Sequence, residues 1–187
     1  MPSKSIDKRS RLIRAAVELT YLHGFSKTSL ADIAKQAKVP LGNIYYYFKT
    51  KKQVAEAIIE QRLLHLKARS KQWDEAGSPR DRLCACLLDV LENKEVLAAH
   101  GCPVGPFCSE LLKEGGGLGK RASEIFGQHL EWMEVQFKAL GKGKDARGLA
   151  VHLLSALEGV FVLAHTFRDS DLVVMEIKRL KEWIREL

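Results

Sequence analysis

Residues 39–51 decide the fold, and they read Val39-Pro40-Leu41-Gly42-Asn43-Ile44-Tyr45-Tyr46-Tyr47-Phe48-Lys49-Thr50-Lys51. The stretch places three adjacent tyrosines on about one helical turn and follows them at once with lysines. Tyrosine offers a hydroxyl donor on a rigid ring and lysine offers a positive charge, so together they suit the phosphates and sugars of a nucleic acid. The stretch therefore predicts a short helix with a nucleic-acid-binding face.

A second short helix is predicted just before this stretch, over residues 28–37. Its start carries Ser29 and Asp32 at the spacing of a capping box, with Thr28 as a competing N-cap residue. Two short helices joined by a tight turn form a helix-turn-helix, and the second helix of that motif enters the major groove of DNA. The pattern therefore predicts binding to double-stranded DNA.

The positive charge of the chain is concentrated at the same end. Residues 1–52 contain 11 Lys and Arg residues against 3 Asp and Glu residues, whereas residues 53–187 contain 19 and 20. The net charge of +7 therefore comes from the first 52 residues. These charges are interleaved with apolar residues at helical spacing, which is typical of a folded nucleic-acid-binding element.

The first third of the chain resembles the N-terminal domain of TetR/AcrR-type bacterial repressors. The resemblance covers about residues 7–55 and rests on Thr28-Ser29-x-x-x-Ile33-Ala34, the turn, and Gly42-Asn43-Ile44-Tyr45-Tyr46-Tyr47-Phe48-x-x-Lys51. Leu41 departs from the family pattern, because many members carry a Lys or Ser there that faces DNA. The resemblance implies a helical remainder of the chain and a four-helix dimer interface to which each subunit contributes two helices.

Glycines, prolines and capping residues divide the chain into nine predicted helices, and no strand-like alternation persists. The helices are predicted over about residues 7–23, 28–37, a short segment opened by 40–42, 50–73, 78–99, a short segment ending at 114, a segment ending at 140, 145–168 and 171–187. Thr50 and Gln53 predict a second capping box. We expect an all-α fold with a three-helix helix-turn-helix DNA-binding domain in residues 1–52 and a ligand-binding and dimerisation domain in residues 53–187.

The sequence disfavours several other kinds of site. It has no Ser/His/Asp order and no loop pair of carboxylates, so we expect no enzyme activity. The spacing of His100, Cys102 and Cys108 does not match a zinc site, so we expect neither a metal nor another cofactor. Four cysteines without an export signal predict reduced thiols in the cytoplasm. Glu158 lies within the apolar residues 149–167, which favours a buried helix over a membrane span.

Eight residues are candidate contacts to a palindromic DNA operator, namely Thr28, Gly42, Asn43, Tyr45, Tyr46, Tyr47, Lys49 and Lys51. The tyrosines and lysines are expected to contact phosphates, and so is the hydroxyl of Thr28. Gly42 would let the backbone approach the DNA, while Asn43 would reach a base edge or an adjacent phosphate.

The last predicted helix carries a narrow apolar stripe of coiled-coil type, made of Val173, Ile177, Leu180 and Ile184. The preceding helix is apolar on nearly all sides, and its small residues Ser155, Ala156 and Gly159 permit close helix approach. We interpret these last two helices as the homodimer interface, to which the final helix contributes the stripe. The alternative is that both helices are fully packed within one subunit.

Apolar faces in the second part of the chain predict a pocket for a small hydrophobic or aromatic effector. The candidate lining residues are Cys102, Phe107, Phe126, His129, Met133 and Phe161. His129 could supply an orienting hydrogen bond. Cys102 lies at a helix break, where backbone amides can favour a thiolate, and its Gly-Cys sequence is similar to a subgroup of TetR-like repressors, some of which sense electrophiles or flavonoid-like compounds. A thiol that only fills space is the alternative.

These features predict a homodimeric, cytoplasmic transcriptional regulator, with repression and release by a ligand as the favoured mechanism. The effector would move the helix over residues 50–73 and change the separation of the two DNA-reading helices. Two other functions stay open. A DNA-organising protein would need no effector cavity, and an enzyme fused to a DNA-binding head would need a polar catalytic cluster.

Overall fold

The structure, a computed structural model, describes residues 4–187, and these residues form ten α-helices and no β-strand. The helices are α1 (Lys4–His23), α2 (Leu30–Gln36), α3 (Leu41–Tyr47), α4 (Lys51–Asp74), α5 (Pro79–Glu92), α6 (Lys94–His100), α7 (Gly105–Glu114), α8 (Gly117–Ala139), α9 (Ala146–Phe167) and α10 (Asp171–Glu186). The predicted all-α fold is confirmed.

Capping residues start several helices where the sequence predicts them. The Ser29 hydroxyl accepts a hydrogen bond from the Asp32 backbone N–H, and the Asp32 carboxylate accepts one from the Ser29 N–H. Ser78 and Asp81 form a reciprocal pair of the same kind before α5, and Pro79 occupies the first turn of that helix. The pair predicted before α4 forms in half: the Gln53 N–H donates to Thr50 Oγ1, but Gln53 Oε1 accepts from Lys49.

The single helix predicted over residues 78–99 is wrong, because the structure has two helices there, α5 and α6, which meet at Asn93. The Asn93 side-chain amide donates to the Asp89 carbonyl at 2.8 Å, while the Asn93 backbone N–H turns to the Val90 carbonyl at 3.1 Å. The side chain therefore replaces the main-chain bond that would continue the helix. Asparagine competes with the helix backbone in this way, which explains its low helix propensity.

The described chain forms two compact units. The first contains the described residues up to Leu64 together with Pro103–Glu124, and the second contains His65–Cys102 and Ile125–Leu187. The division falls within α4 and α8. In the first unit, α1 packs on α2 and α2 packs on α3, around a core that includes Leu12, Ile33 and Ile44.

In the second unit, α10 packs against α5 and α9, and α6 packs against α9. The apolar stripe of α10 is buried in these contacts: Val173, Ile177, Leu180 and Ile184 are each no more than 4 % exposed. The stripe belongs to the core of a single chain, so the prediction that it forms the dimer interface is wrong. A 4-3-4 spacing looks the same in a coiled coil and in a helix that packs on two neighbours of its own chain.

Helix α9 is the one helix in residues 4–187 that is long and apolar enough, by length and composition alone, to cross a membrane. One face of it is buried in the second unit through residues that include Ala150, Leu153 and Leu157. Core helices of folded domains have the same composition, and the buried face is what a core helix needs. The other face exposes Val151, Val162 and other apolar residues to solvent.

Candidate nucleic-acid interface

The turn between α2 and α3 is closed by a Schellman motif. Lys38 adopts the left-handed conformation with φ of 53°, and its N–H donates to the Lys35 carbonyl at 3.0 Å. The next N–H, that of Val39, donates to the Ala34 carbonyl at 2.9 Å. These two bonds satisfy the last carbonyls of α2 and reverse the chain direction within a few residues. The predicted tight turn of the helix-turn-helix is therefore present.

Arg11 of α1 fixes this turn from the opposite side. Its guanidinium donates to the carbonyls of Ala37 and Lys38, the two residues that follow α2. Asp7 lies 3.8 Å from the same guanidinium, one turn earlier on α1. One side chain thus holds the path of the chain between α2 and α3, which sets the direction in which α3 projects.

Helix α3 divides into a buried face and an exposed face. Ile44 is fully buried, and Phe48, just past the end of the helix, is 3 % exposed. The outward face carries Leu41, Gly42, Tyr45 and Tyr46, with Tyr46 81 % exposed, while Asn43 and Tyr47 are half-buried. The rings of Tyr46 and Tyr47 meet edge to face, with centroids 5.0 Å apart. Five predicted contact residues on α3 are thus at least partly accessible.

Thr28 is the predicted contact residue that the structure places elsewhere. Its side chain is 3 % exposed, and its hydroxyl donates to the Gly24 carbonyl at 2.8 Å. The residue closes the corner between α1 and α2 and does not offer its hydroxyl to solvent. Its assignment as a phosphate contact is corrected, because a hydroxyl that is buried and already donating has no hydrogen left for a phosphate oxygen.

The corner between α1 and α2 is held by Glu110 of α7, in the same compact unit. Its carboxylate accepts hydrogen bonds from the Phe25 N–H at 3.3 Å and from the Ser26 N–H at 2.7 Å. Burial raises the pKa of Glu110, but hydrogen bonds from the Ser26 hydroxyl and the two N–H groups, with the charge of Lys51, outweigh it, so the pKa is lowered overall. Gly24 has φ of +86°, and a Cβ there would lie 2.9 Å from Glu110 Oε1, so a side chain would strain the backbone and displace the Glu110 carboxylate.

Lys51, a predicted phosphate contact, also has an internal partner at this corner. Its ammonium donates to the Ser26 carbonyl at 2.9 Å and lies 4.7 Å from the centre of the Phe25 ring. Lys49, just past α3, is exposed, as are Lys35, Lys38 and Lys52. Exposed lysines therefore flank α3 in the sequence, and Lys51 serves the corner as well as the surface.

The candidate effector residues divide between the two units. Phe107 belongs to the first unit, where its ring packs edge-on against Phe25 with centroids 5.5 Å apart. The other five belong to the second unit, in which Met133 and Phe161 are buried and Phe126 is half-buried. No group of three or more His, Cys, Asp and Glu side chains in residues 4–187 is placed to hold a metal ion.

Two polar groups lie among the apolar residues of the second unit. The Cys102 thiol donates to Glu158 Oε1 at 3.1 Å, and burial raises the pKa of the Glu158 carboxyl although this bond opposes the rise. Burial lowers the pKa of His129, although the hydrogen bond of its Nδ1 to the Ile125 carbonyl, at 3.1 Å, opposes the change. Burial therefore shifts both pKa values in the direction of the neutral side chain.

Arg11, Glu110 and Glu158 take part in these sites although the sequence pattern does not predict them. Arg11 bonds to carbonyls 26 and 27 residues away, and Glu110 bonds to a corner 84 residues away. Their partners are mainly backbone groups, which carry no residue-specific signal in a sequence. An acidic residue inside an apolar helix, as at Glu158, is the one signal that could have suggested a buried polar site.

Comparison with known proteins gives a consistent family of relatives. Residues 12–58 match the family described as "Bacterial regulatory proteins, tetR family". An uncharacterised HTH-type transcriptional regulator from Lactococcus lactis subsp. lactis is 24 % identical over 92 % of this chain and 91 % of its own length. The HTH-type transcriptional repressor NemR of Escherichia coli (strain K12) is 27 % identical over 81 % of this chain and 68 % of its own length.

Solved structures share the fold over nearly the whole chain. A TetR-family transcriptional regulator from Streptomyces coelicolor superimposes with a TM-score of 0.84 at 15 % identity, covering 97 % of this chain and 96 % of that one. The reduced form of E. coli NemR gives 0.78 at 20 % identity, with coverage of 94 % and 96 %. At these identities the likeness shows a common fold.

Proposed function

Because the chain belongs to the TetR family of bacterial transcriptional regulators, we propose that it is a repressor that binds a palindromic DNA operator as a homodimer and is released by a small hydrophobic or aromatic ligand. The observation that carries the proposal is the exposed face of α3, which follows a turn bonded by Arg11 and is flanked in the sequence by exposed lysines. Helix-turn-helix proteins place such a face in the major groove.

The exposed side chains on and beside α3 divide into two roles. Tyr46 is 81 % exposed and Lys49 is exposed, so both can donate to phosphates, and we assign them to the DNA backbone. Asn43 and the first residues of α3 are assigned to base edges, because the N-terminal part of a recognition helix reaches the bases. Lys51 is assigned a shared role, since it must keep its bond to Ser26 while it faces the DNA.

We place the dimer interface on the exposed face of α9. This face carries Val151, Ser155, Gly159, Val162 and Leu163, which follow one another at helical spacing and are all exposed. The ideal Cβ position at Gly159 has no neighbouring atom within 4 Å, so a second helix has room to approach closely. Small residues between apolar ones allow two helices to pack in contact, and burial of this face in a dimer would remove exposed apolar surface.

We place the effector site in the second unit, among Cys102, Phe126, His129, Met133 and Phe161. Glu158 joins them as a partly buried carboxyl whose pKa is raised by burial and which accepts a hydrogen bond from the Cys102 thiol. Binding is proposed to be non-covalent. The Cys102 thiol is 9 % exposed and donates to Glu158, so it is packed as a wall residue. A regulator of this kind acts in the cytoplasm, where its operator is accessible.

Selection of bound sequences from random duplex DNA tests the proposal. The purified full-length chain is expected to enrich an inverted repeat whose half-sites lie about one helical turn of DNA apart. A Tyr46→Ala, Lys49→Ala double variant is the matched control and should enrich the same repeat with lower recovery. Recovery of DNA without any enriched sequence would contradict the proposal and favour a DNA-organising protein.

A screen of hydrophobic and aromatic compounds tests the regulatory half of the proposal. A compound that releases the wild-type protein from the selected operator should fail to release a Met133→Trp or Phe161→Trp variant in which the site is filled. Equal release of the filled variants would contradict the assignment of the effector site. Their affinity for the operator without compound is the control, since filling the site should leave DNA binding intact.

A further inference from the structure

The recognition surface of α3 contains no charged side chain. Its seven residues are Leu-Gly-Asn-Ile-Tyr-Tyr-Tyr, and the nearest cations, Lys38 and Lys49, lie outside the helix on either side. In the major groove, guanine is most often recognised by an Arg or Lys that bonds to its O6 and N7 atoms. Helix α3 cannot make that contact with its own side chains.

The exposed face of α3 is instead partly apolar. Leu41, the first residue of the helix, is 48 % exposed, and Tyr45 follows four residues later on the same face with 51 % exposure. Gly42 lies beside Leu41, and no atom lies within 4 Å of where its Cβ would be. The face therefore has a leucine side chain with open space next to it, at the end of the helix that approaches base edges.

Thymine is the base that presents an apolar group in the major groove, its C5-methyl group. We infer that Leu41 is a specificity-determining residue that recognises a thymine in each operator half-site through that methyl group. The inference rests on the proposed function, in which α3 enters the major groove. It explains why a leucine can stand exposed here, because the side chain leaves water when it packs against the methyl group.

Replacement of thymine by deoxyuridine tests the inference, because it removes the methyl group and leaves the base pairing unchanged. Each thymine of the selected operator is replaced in turn, in both half-sites together, and the dissociation constant is measured for the wild-type protein and for Leu41→Ala. Burial of one methyl group is worth about fourfold in affinity. Because each replacement removes the methyl group from both half-sites, the wild-type protein should bind the sensitive operator roughly 15-fold more weakly. Leu41→Ala should bind the two DNAs with nearly equal affinity.

Two further variants make the outcome specific. Leu64→Ala removes another leucine that is exposed, on α4, and should keep the full wild-type response to deoxyuridine. Leu41→Lys supplies a cation at the same position, so a repeated selection should exchange the sensitive thymine for guanine.

A selected operator that is insensitive to deoxyuridine at every thymine would overturn the inference and leave the proposed function intact. An equal loss in the wild-type protein and in Leu41→Ala would also overturn it, because another residue would then contact the methyl group. If no sequence is enriched in the selection, both the inference and the proposed function fail.

Discussion

Glu110 on α7 bonds to Ser26 at the corner between α1 and α2 through two contacts, one from the backbone N–H and one from the hydroxyl, each 2.7 Å long. The Ser26 carbonyl in turn accepts the Lys51 ammonium at 2.9 Å. A single residue at the corner therefore joins α7 to the first turn of α4. This corner precedes α2, so the position of α2 and α3 depends on a residue far away in the sequence.

Replacement of Glu110 by Gln should destabilise the protein and weaken DNA binding. Both carboxylate oxygens of Glu110 accept hydrogen bonds. A glutamine keeps one of these oxygens and replaces the other by an NH2 group, which cannot accept, so at least one backbone N–H loses its partner. We expect a loss of about 1–2 kcal/mol in the free energy of unfolding, measured by urea denaturation. Glu114→Gln, an exposed substitution at the end of the same helix, is the control and should change the stability little.

The effect of Glu110 should depend on pH. Its pKa is lowered in the folded protein, so its contribution to stability is present above the ordinary pKa of a glutamate, about 4.3, and is lost as the pH falls through the lowered value. The difference in unfolding free energy between the wild-type protein and Glu110→Gln should therefore be constant near neutral pH and shrink in acid. A difference that grows as the pH falls would contradict the assignment.

Loss of a side chain that contacts the DNA backbone should lower the affinity for DNA without changing the sequence preference. Lys49→Ala should lower the affinity for the operator and for unrelated duplexes by a similar factor, and reduce the slope of log affinity against log salt by about one. Tyr46→Phe should lower the affinity for both DNAs through loss of its hydroxyl. Lys120→Ala, at an exposed lysine of α8, is the control. A changed sequence preference in either variant would assign that residue to a base.

A glutamate introduced on the exposed face of α9 and one introduced on the buried face of α10 should have different effects. Leu163→Glu lies on the proposed interface and should give folded monomers in sedimentation velocity, because burying a charge in an interface is costly. Ile177→Glu lies in the core of one chain, 1 % exposed, and should unfold the protein, which circular dichroism would detect. Leu88→Glu, at an exposed leucine of α5, is the control for the first variant. A dimeric Leu163→Glu would place the interface elsewhere.

Alkylation should distinguish the four cysteines. Burial raises the pKa of Cys86 to about 12 and also raises that of the half-buried Cys84. Since the thiolate reacts and the reagent must reach it, Cys84 should be modified first by iodoacetamide at pH 8, with peptide mapping as the readout. Cys102→Ser should keep its response to a non-covalent effector. Preferential modification of Cys102 together with release of DNA would instead identify a covalent sensor.

Local signals predicted much of the fold. Ser29 with Asp32, and Ser78 with Asp81, start helices through hydrogen bonds between residues three apart, so these starts are visible in the sequence. Asn93 shows the limit of this approach. Its side chain ends a helix by bonding to the main chain of Asp89, but an asparagine within a helical pattern can equally point to solvent, and tertiary packing decides between the two outcomes.

The candidate site was only partly predictable. The exposed face of α3 follows from its sequence pattern, whereas the buried position of Thr28 depends on the Gly24 carbonyl at the end of the preceding helix. The sequence predicts that the α10 stripe packs on a second chain, and this is wrong. Apolar spacing shows that a face is buried but does not show which helix buries it. Arg11 and Glu110 act through backbone groups of distant segments, and such contacts exist only once the chain has folded.

The most direct test of the account is a titration of the purified protein with its selected palindrome at physiological salt, with a scrambled duplex of the same length and composition as the reference. The account predicts two chains per palindrome and binding at least about 1,000-fold tighter than to the scrambled duplex, the usual margin of a specific DNA-binding protein. Equal affinity for the two duplexes, or one chain per palindrome at saturation, would contradict the account of a dimeric, sequence-specific regulator.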